Sequence, residues 1–260
     1  MSTRFVIFCF PRTGSYLLTD ILNKQEGITC HEELFKKNRV ELDEQYRSQL
    51  GLSRDDMEKR DADPFSYLEA VYDMSPGPVT GFKIFPAHNR EILLKLMNDT
   101  GIKKVFLARN PVQSYISTLV ARETGAWTKT HHDKPDSVVQ VKFPVNGFIR
   151  RIHEQRKFFE RIITAIKLTP GNPVHIIDYS ELKDPARMHL LAEYLGIESW
   201  DDDVIPKYKK QIVKPYPEIV ADWDGVRENL KQLGVDETCT FFDFMTAYNR
   251  VIYSDSILPK

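Results

Sequence analysis

Residues 5–22, FVIFCFPRTGSYLLTDIL, pass from an apolar, aromatic and β-branched run through a short polar turn into a segment with helical apolar spacing. The order is strand, turn, helix. At such a junction the first N–H groups of the helix have no intrahelical partner and point outward with the positive end of the dipole. An oxyanion satisfies them. Gly14 lets the backbone approach such an anion closely, Thr13 and Ser15 offer hydroxyls, and Arg12 offers a guanidinium fork shaped for phosphate or sulfate oxygens. The plainer alternative is an ordinary connection in which Ser15 caps the helix and Arg12 is exposed.

Three more short runs read as buried strands: residues 80–85, 103–108 and 174–178. The run 103–108 leads into NPVQSYISTLVARE, with Asn110 as N-cap and Pro111 at the first helical position. After residues 174–178 comes ARMHLLAEYLG, closed by Gly196. Helices are also expected over residues 89–98 and 146–166. This alternation predicts an α/β fold, a P-loop-like three-layer α/β/α arrangement around a parallel sheet, within a single domain over residues 1–260. Ligands of such sheets sit at the C-terminal strand ends, which directs attention to the turns after Phe10, Phe85, Ala108 and Asp178.

The turn after residue 108 repeats the logic of the first. Arg109 leaves the strand end and Ser117 lies about two turns into the next helix, so both can converge on one group. Alone, this is as readily an Arg paired to a surface carboxylate. Together the two junctions point to a ligand with two separated anionic groups. The nucleotide-hydrolysing P-loop needs G-x-x-x-x-G-K-[ST], and both its lysine and its first glycine are missing, so Mg²⁺-centred chemistry is not expected.

The 36 basic and 37 acidic residues nearly cancel, which excludes a global field for nucleic acid or a membrane surface. Cys9, Cys30 and Cys239 fit neither a disulfide framework nor a zinc site, and the N-terminal apolar run is too short to span a bilayer. A cytoplasmic protein with no integral membrane segment is expected; self-association into a homo-oligomer is left open. Residues 38–65 and 127–145 read as solvated insertions, the first as a surface helix with a mobile loop. His131, His132 and Asp133 do not have metal-ligand spacing.

These strings resemble the sulfotransferase family that uses 3′-phosphoadenosine 5′-phosphosulfate (PAPS). In that family P-[RK]-[ST]-G-[ST] cradles the 5′-phosphosulfate and a later R-x₇-S segment holds the 3′-phosphate. Pro11 to Ser15 match the first, and Arg109 with Ser117 match the second. The strings EELF, GFKIF, ARETGAW, HIIDYSELKDP and YLGIE are similar to the carbohydrate branch that includes trehalose sulfotransferase. The resemblance covers roughly residues 5–200.

It implies PAPS as co-substrate, 3′,5′-adenosine bisphosphate (PAP) as product, no required metal, and a hydroxyl-bearing small-molecule, carbohydrate or glycolipid acceptor. Arg12, Thr13, Gly14, Ser15, Tyr16, Arg109 and Ser117 are then donor-binding, with Arg12 also on the leaving group. Lys83 matches a basic residue at the sulfuryl region. Small-molecule sulfotransferases carry a His base two residues after that Lys, where this chain has Phe85. In the trehalose-type branch the base is a Glu after the first helix, which a gapless count places at Glu33; Glu32, His31 and His88 are the alternatives. Tyr16 and Trp127 are stacking candidates for adenine or sugar. A P-loop-like nucleotide kinase and a catalytically inactive nucleotide-binding module are the rival readings. The acceptor pocket is expected from residues 34–65, 127–145 and the stretch KPYPEIVADW.

Overall fold

In the computed structural model, which describes residues 2–130 and 139–253, five strands form one all-parallel sheet in the order β2-β3-β1-β4-β5. They are β1 Thr3–Phe8, β2 Ile28–His31, β3 Val79–Ile84, β4 Ile102–Ala108 and β5 Val174–Asp178. β1 lies at the centre, pairing Ile7 with Lys83 of β3 and with Val105 of β4. Side-chain alternation sends Phe5 and Ile7 to one face and Val6 and Phe8 to the other, and both faces are buried. The three-layer α/β/α arrangement expected from the sequence is the one observed.

The helices are α1 Ser15–Asn23, α2 Glu44–Gln49, α3 Met57–Ala62, α4 Pro64–Met74, α5 Arg90–Asn98, α6 Pro111–Thr124, α7 Val145–Leu168, α8 Pro185–Leu195, α9 Tyr216–Ile219, α10 Trp223–Gln232 and α11 Phe241–Tyr253. Helices α1 and α8 cover the face carrying Phe5 and Ile7, while α4 to α7 and α10 cover the other. The Asn110 start signal acts as read, its side chain accepting the Gln113 N–H at 3.1 Å; α8 has a like cap, unread in the sequence, in Asp184, which accepts the Ala186 N–H at 3.0 Å. Among the described residues, no helix is long and apolar enough to cross a membrane.

Two expectations need correction. β2, an edge strand of only four residues, has no expected counterpart; ITCH is too short for a periodic signal. The tract 38–65 is not one surface helix with a loop. It holds two short helices, α2 and α3, and buries Val40, Leu42 and Tyr46. Its anchor is Arg60, 2 % exposed, whose guanidinium donates to the carbonyls of Leu34 at 3.2 Å and Lys36 at 2.8 Å and pairs with Asp61 at 2.8 Å. A charged composition concealed a buried cation that ties down the loop after β2.

Arg60→Met leaves those carbonyls and Asp61 without their donor. A stability loss of about 2–4 kcal/mol in urea unfolding is expected, with Arg60→Lys recovering part of it.

Candidate active site

All five strands end on one edge of the sheet, and the chain leaving each one lines a single cavity of about 720 Å³. The first supplies Pro11, Arg12, Gly14, Ser15 and Tyr16, and the other four supply Glu33, Phe85, Arg109 and Tyr179 in turn. This volume suits a nucleotide-sized ligand.

The turn after β1 has unusual backbone. Arg12 adopts φ 72° and Gly14 φ 92°, both left-handed. For a non-glycine residue that conformation persists only where neighbours hold it. Here Arg151 of α7 donates to the Pro11 carbonyl at 2.7 Å, and Arg109 donates to the Arg12 carbonyl at 2.9 Å. Gly14 is the N-cap of α1, and no side chain caps that helix. The first N–H to return to the ladder is that of Leu18, bonded to Gly14 O at 3.0 Å, so those of Ser15, Tyr16 and Leu17 lie ahead of it. Ser15 is therefore the first helical residue, not the cap. Thr13 lies outside the cavity lining, its hydroxyl donating to Phe10 O at 2.8 Å.

The two junctions meet instead of standing apart. Arg12 donates through Nε to Ser117 Oγ at 3.0 Å, and through its other nitrogens to Trp127 O and Gln211 Oε1. Arg109 lies over the Tyr179 ring at 4.0 Å. Among the described residues no carboxylate lies within ion-pair distance of Arg12, Arg109 or Arg151. Burial and the charge of Arg109 push Arg12 down to about 10, and burial pushes Arg151 down to about 10 and lowers Arg109. Arg12 and Arg109 thus line the cavity without an ion-paired carboxylate among the described residues, with Arg151 behind them on the Pro11 carbonyl. Arg151 was beyond sequence reading, since nothing in FIRRIHEQR distinguishes it from its helix neighbours.

On the opposite wall Glu33 is 5 % exposed. Its Oε1 lies 3.8 Å from Lys83 Nζ and accepts from Tyr16 OH at 3.4 Å; its Oε2 lies 3.6 Å from His88 Nε2 and 3.9 Å from Lys36 Nζ. Burial opposes its charge, but His88, Lys83 and Lys36 together hold its carboxyl below the usual range. Glu32 behaves oppositely: burial raises it despite its pairing with Lys83, and it lines a separate cavity of about 500 Å³ together with His31. His31 is committed to Ser75 Oγ at 2.6 Å. Lys83 does not line the larger cavity; its ammonium is fully buried, 3.0 Å from the centroid of the Tyr16 ring.

The rim comes from residues 36–41, 127–129 and 208–212. Trp127 is half exposed there, and Tyr16 packs against Tyr208 with centroids 5.5 Å apart. KPYPEIVADW is not part of the rim, because Ile219, Val220 and Trp223 are core residues. Among the described residues no cluster of His, Cys, Asp and Glu is arranged for a metal; His131, His132 and Asp133 lie outside them.

Nodulation protein H of Rhizobium tropici is 30% identical over 197 residues, which is 74% of this chain and 75% of that protein. The chain belongs to the PAPS-dependent sulfotransferase family. No family model matches it. This sulfotransferase shares its fold with the sulfotransferase domain from the curacin biosynthetic pathway, at TM-score 0.51 and 13% identity, covering 100% of this chain and 99% of that one. A mouse sulfotransferase solved in complex with PAP aligns at TM-score 0.45 and 14% identity over 77% of this chain, which spans 61% of the mouse protein.

A Cβ on Gly14 would overlap the Tyr179 ring, and the residue's φ is unfavourable to any L side chain. Gly14→Ala is expected to weaken PAP binding by about 10- to 100-fold in calorimetry while the far-UV circular dichroism is retained.

Proposed function

We propose that this sulfotransferase moves the sulfuryl group of PAPS to a hydroxyl of a carbohydrate or glycolipid by in-line displacement, with Glu33 as base. The observation that carries this reading is one cavity lined both by Arg12 and Arg109, which have no ion-paired carboxylate among the described residues, and by the buried carboxylate of Glu33, held below the usual range.

On this reading the N–H groups at the start of α1, with Ser15, receive the 5′-phosphosulfate, and Arg109 with Ser117 receives the 3′-phosphate. Arg12, already bonded to Ser117, spans both and neutralises charge on the leaving phosphate oxygen. The acceptor oxygen forms a bond to sulfur as the bond from sulfur to the bridging phosphate oxygen breaks. The acceptor's proton passes to Glu33, leaving a sulfate ester and PAP. Catalysis is then positioning and charge stabilisation, as in phosphoryl transfer. The guanidiniums and backbone dipoles supply the positive charge, so the reading needs no metal ion. Lys83 acts at one remove, holding the negative charge of Glu32 and Glu33 at the cavity floor.

A sugar acceptor is favoured by the rim beside Glu33, where Lys36, Asn38, Arg39 and Glu41 present mixed donors and acceptors suited to hydroxyls. Labelled PAPS screened against trehalose, other sugars and glycolipids tests this class.

Calorimetry with PAP and with ATP separates the sulfotransferase reading from a kinase. PAP is expected to bind without Mg²⁺, with Arg109→Ala weakening it by about 100-fold. A preference for Mg²⁺-ATP overturns the reading. Glu33→Gln is expected to keep PAP affinity and lose about 10²–10⁴ in turnover; near-wild-type turnover moves the base elsewhere.

A further inference from the structure

We infer that His88 is a positioning residue for Glu33: a neutral imidazole, fixed by the backbone as its Nε2–H tautomer, that aims the carboxylate at the acceptor hydroxyl. The inference rests on Glu33 being the base.

The turn after β3 carries it. The Phe85 N–H donates to His88 Nδ1 at 3.2 Å, and the Phe85 and His88 rings lie 5.0 Å apart between centroids. A ring nitrogen that accepts from a backbone N–H carries no proton, so the proton of the neutral ring sits on Nε2. That nitrogen faces Glu33 Oε2 at 3.6 Å. The His88 side chain is 6 % exposed and does not line the cavity, whereas Glu33 does. His88 therefore has no access to an acceptor and cannot be the base itself. Its geometry fits a group that acts through the carboxylate, as outer-shell partners orient ligands elsewhere.

The other groups facing Glu33 do not duplicate this contact. Lys83 of β3 and Tyr16 of α1 approach Oε1, while Lys36 reaches Oε2 only at 3.9 Å and is nearer Glu41, at 3.2 Å. Glu32, Glu41, Arg39 and Cys9 complete the charged and titratable surroundings. Losing a donor to the ionised form raises a carboxyl's pKa, so removing His88 moves the acid limb of activity to higher pH.

Two variants separate aiming from loop support. Gln at 88 places an N–H where Nε2 stands, and Asn places an acceptor where Nδ1 stands but does not reach Glu33. Turnover is read as labelled sulfate release from PAPS, to trehalose and to water, across pH. For His88→Asn we expect kcat lower by about 10- to 100-fold, the acid limb shifted upward and PAP affinity unchanged; His88→Gln should recover most of kcat. Recovery by Asn and not by Gln overturns the inference in favour of loop support. In a Glu33→Gln background the further loss from His88→Asn should largely vanish. If Glu33→Gln loses turnover while His88→Asn does not, this inference alone fails; if Glu33→Gln keeps turnover, the base assignment beneath it fails. Nitrogen NMR of the ring gives a readout independent of activity: Nε2–H at neutral pH is expected, and Nδ1–H overturns the proposal.

Discussion

Two consecutive carbonyls, those of Pro11 and Arg12, are each taken up by a partly or fully buried guanidinium, and the shape of the turn after β1 depends on that pairing. Oxygen atoms that would repel an anion are thereby engaged by cations. The left-handed conformation at Arg12 costs about 1–3 kcal/mol by itself. It persists because Arg151 from α7 and Arg109 from the turn after β4 approach from separate elements, and Gly14 closes against Tyr179 just past the end of β5. The turn is therefore a product of the tertiary structure, although its sequence is local.

The same pairing concentrates charge. A chain with a net charge of −1 still places Arg12, Arg109 and Arg151 near one another with no carboxylate in ion-pair distance among the described residues, and burial lowers the pKa of all three. Their unrelieved repulsion is a cost carried by the folded protein. On the proposed function, an anion bound beside Arg12 and Arg109 relieves it, which couples ligand affinity to stability by mass action. Guanidinium suits this task because its high intrinsic pKa keeps it charged even after such lowering.

Much of this was legible in the sequence. The strand-turn-helix of residues 5–22, the Asn110-Pro111 start and Gly196 each carry local chemistry that tertiary context did not override. Arg12, Ser15, Arg109 and Ser117, grouped in the sequence by the spacing of two motifs, do line one cavity. What escaped was set by contacts distant in sequence. Arg151 reaches Pro11 across 140 residues, and Arg60 is buried only because carbonyls of residues 34 and 36 converge on it. Lys83 was expected at the reacting centre. It lies behind Tyr16, because its position in the middle of the sheet edge buries it on every side.

Glu32 and Glu33 show how neighbouring residues of one type come to differ. Immediately past β2 the chain turns, so the two side chains line different cavities. Lys83 stands between them and spends its closer contact on Glu32, leaving Glu33 at 3.8 Å. The remaining support for Glu33 comes from Tyr16, Lys36 and His88, on three separate segments. A base matched more tightly to Lys83 would be a poorer proton acceptor, since a close ion pair lowers both its basicity and its freedom to reach an acceptor. Placing the tight pair on Glu32 leaves Glu33 ionised, its cations held off at 3.8 and 3.9 Å. On the proposed chemistry, that is the state a base needs before a hydroxyl arrives.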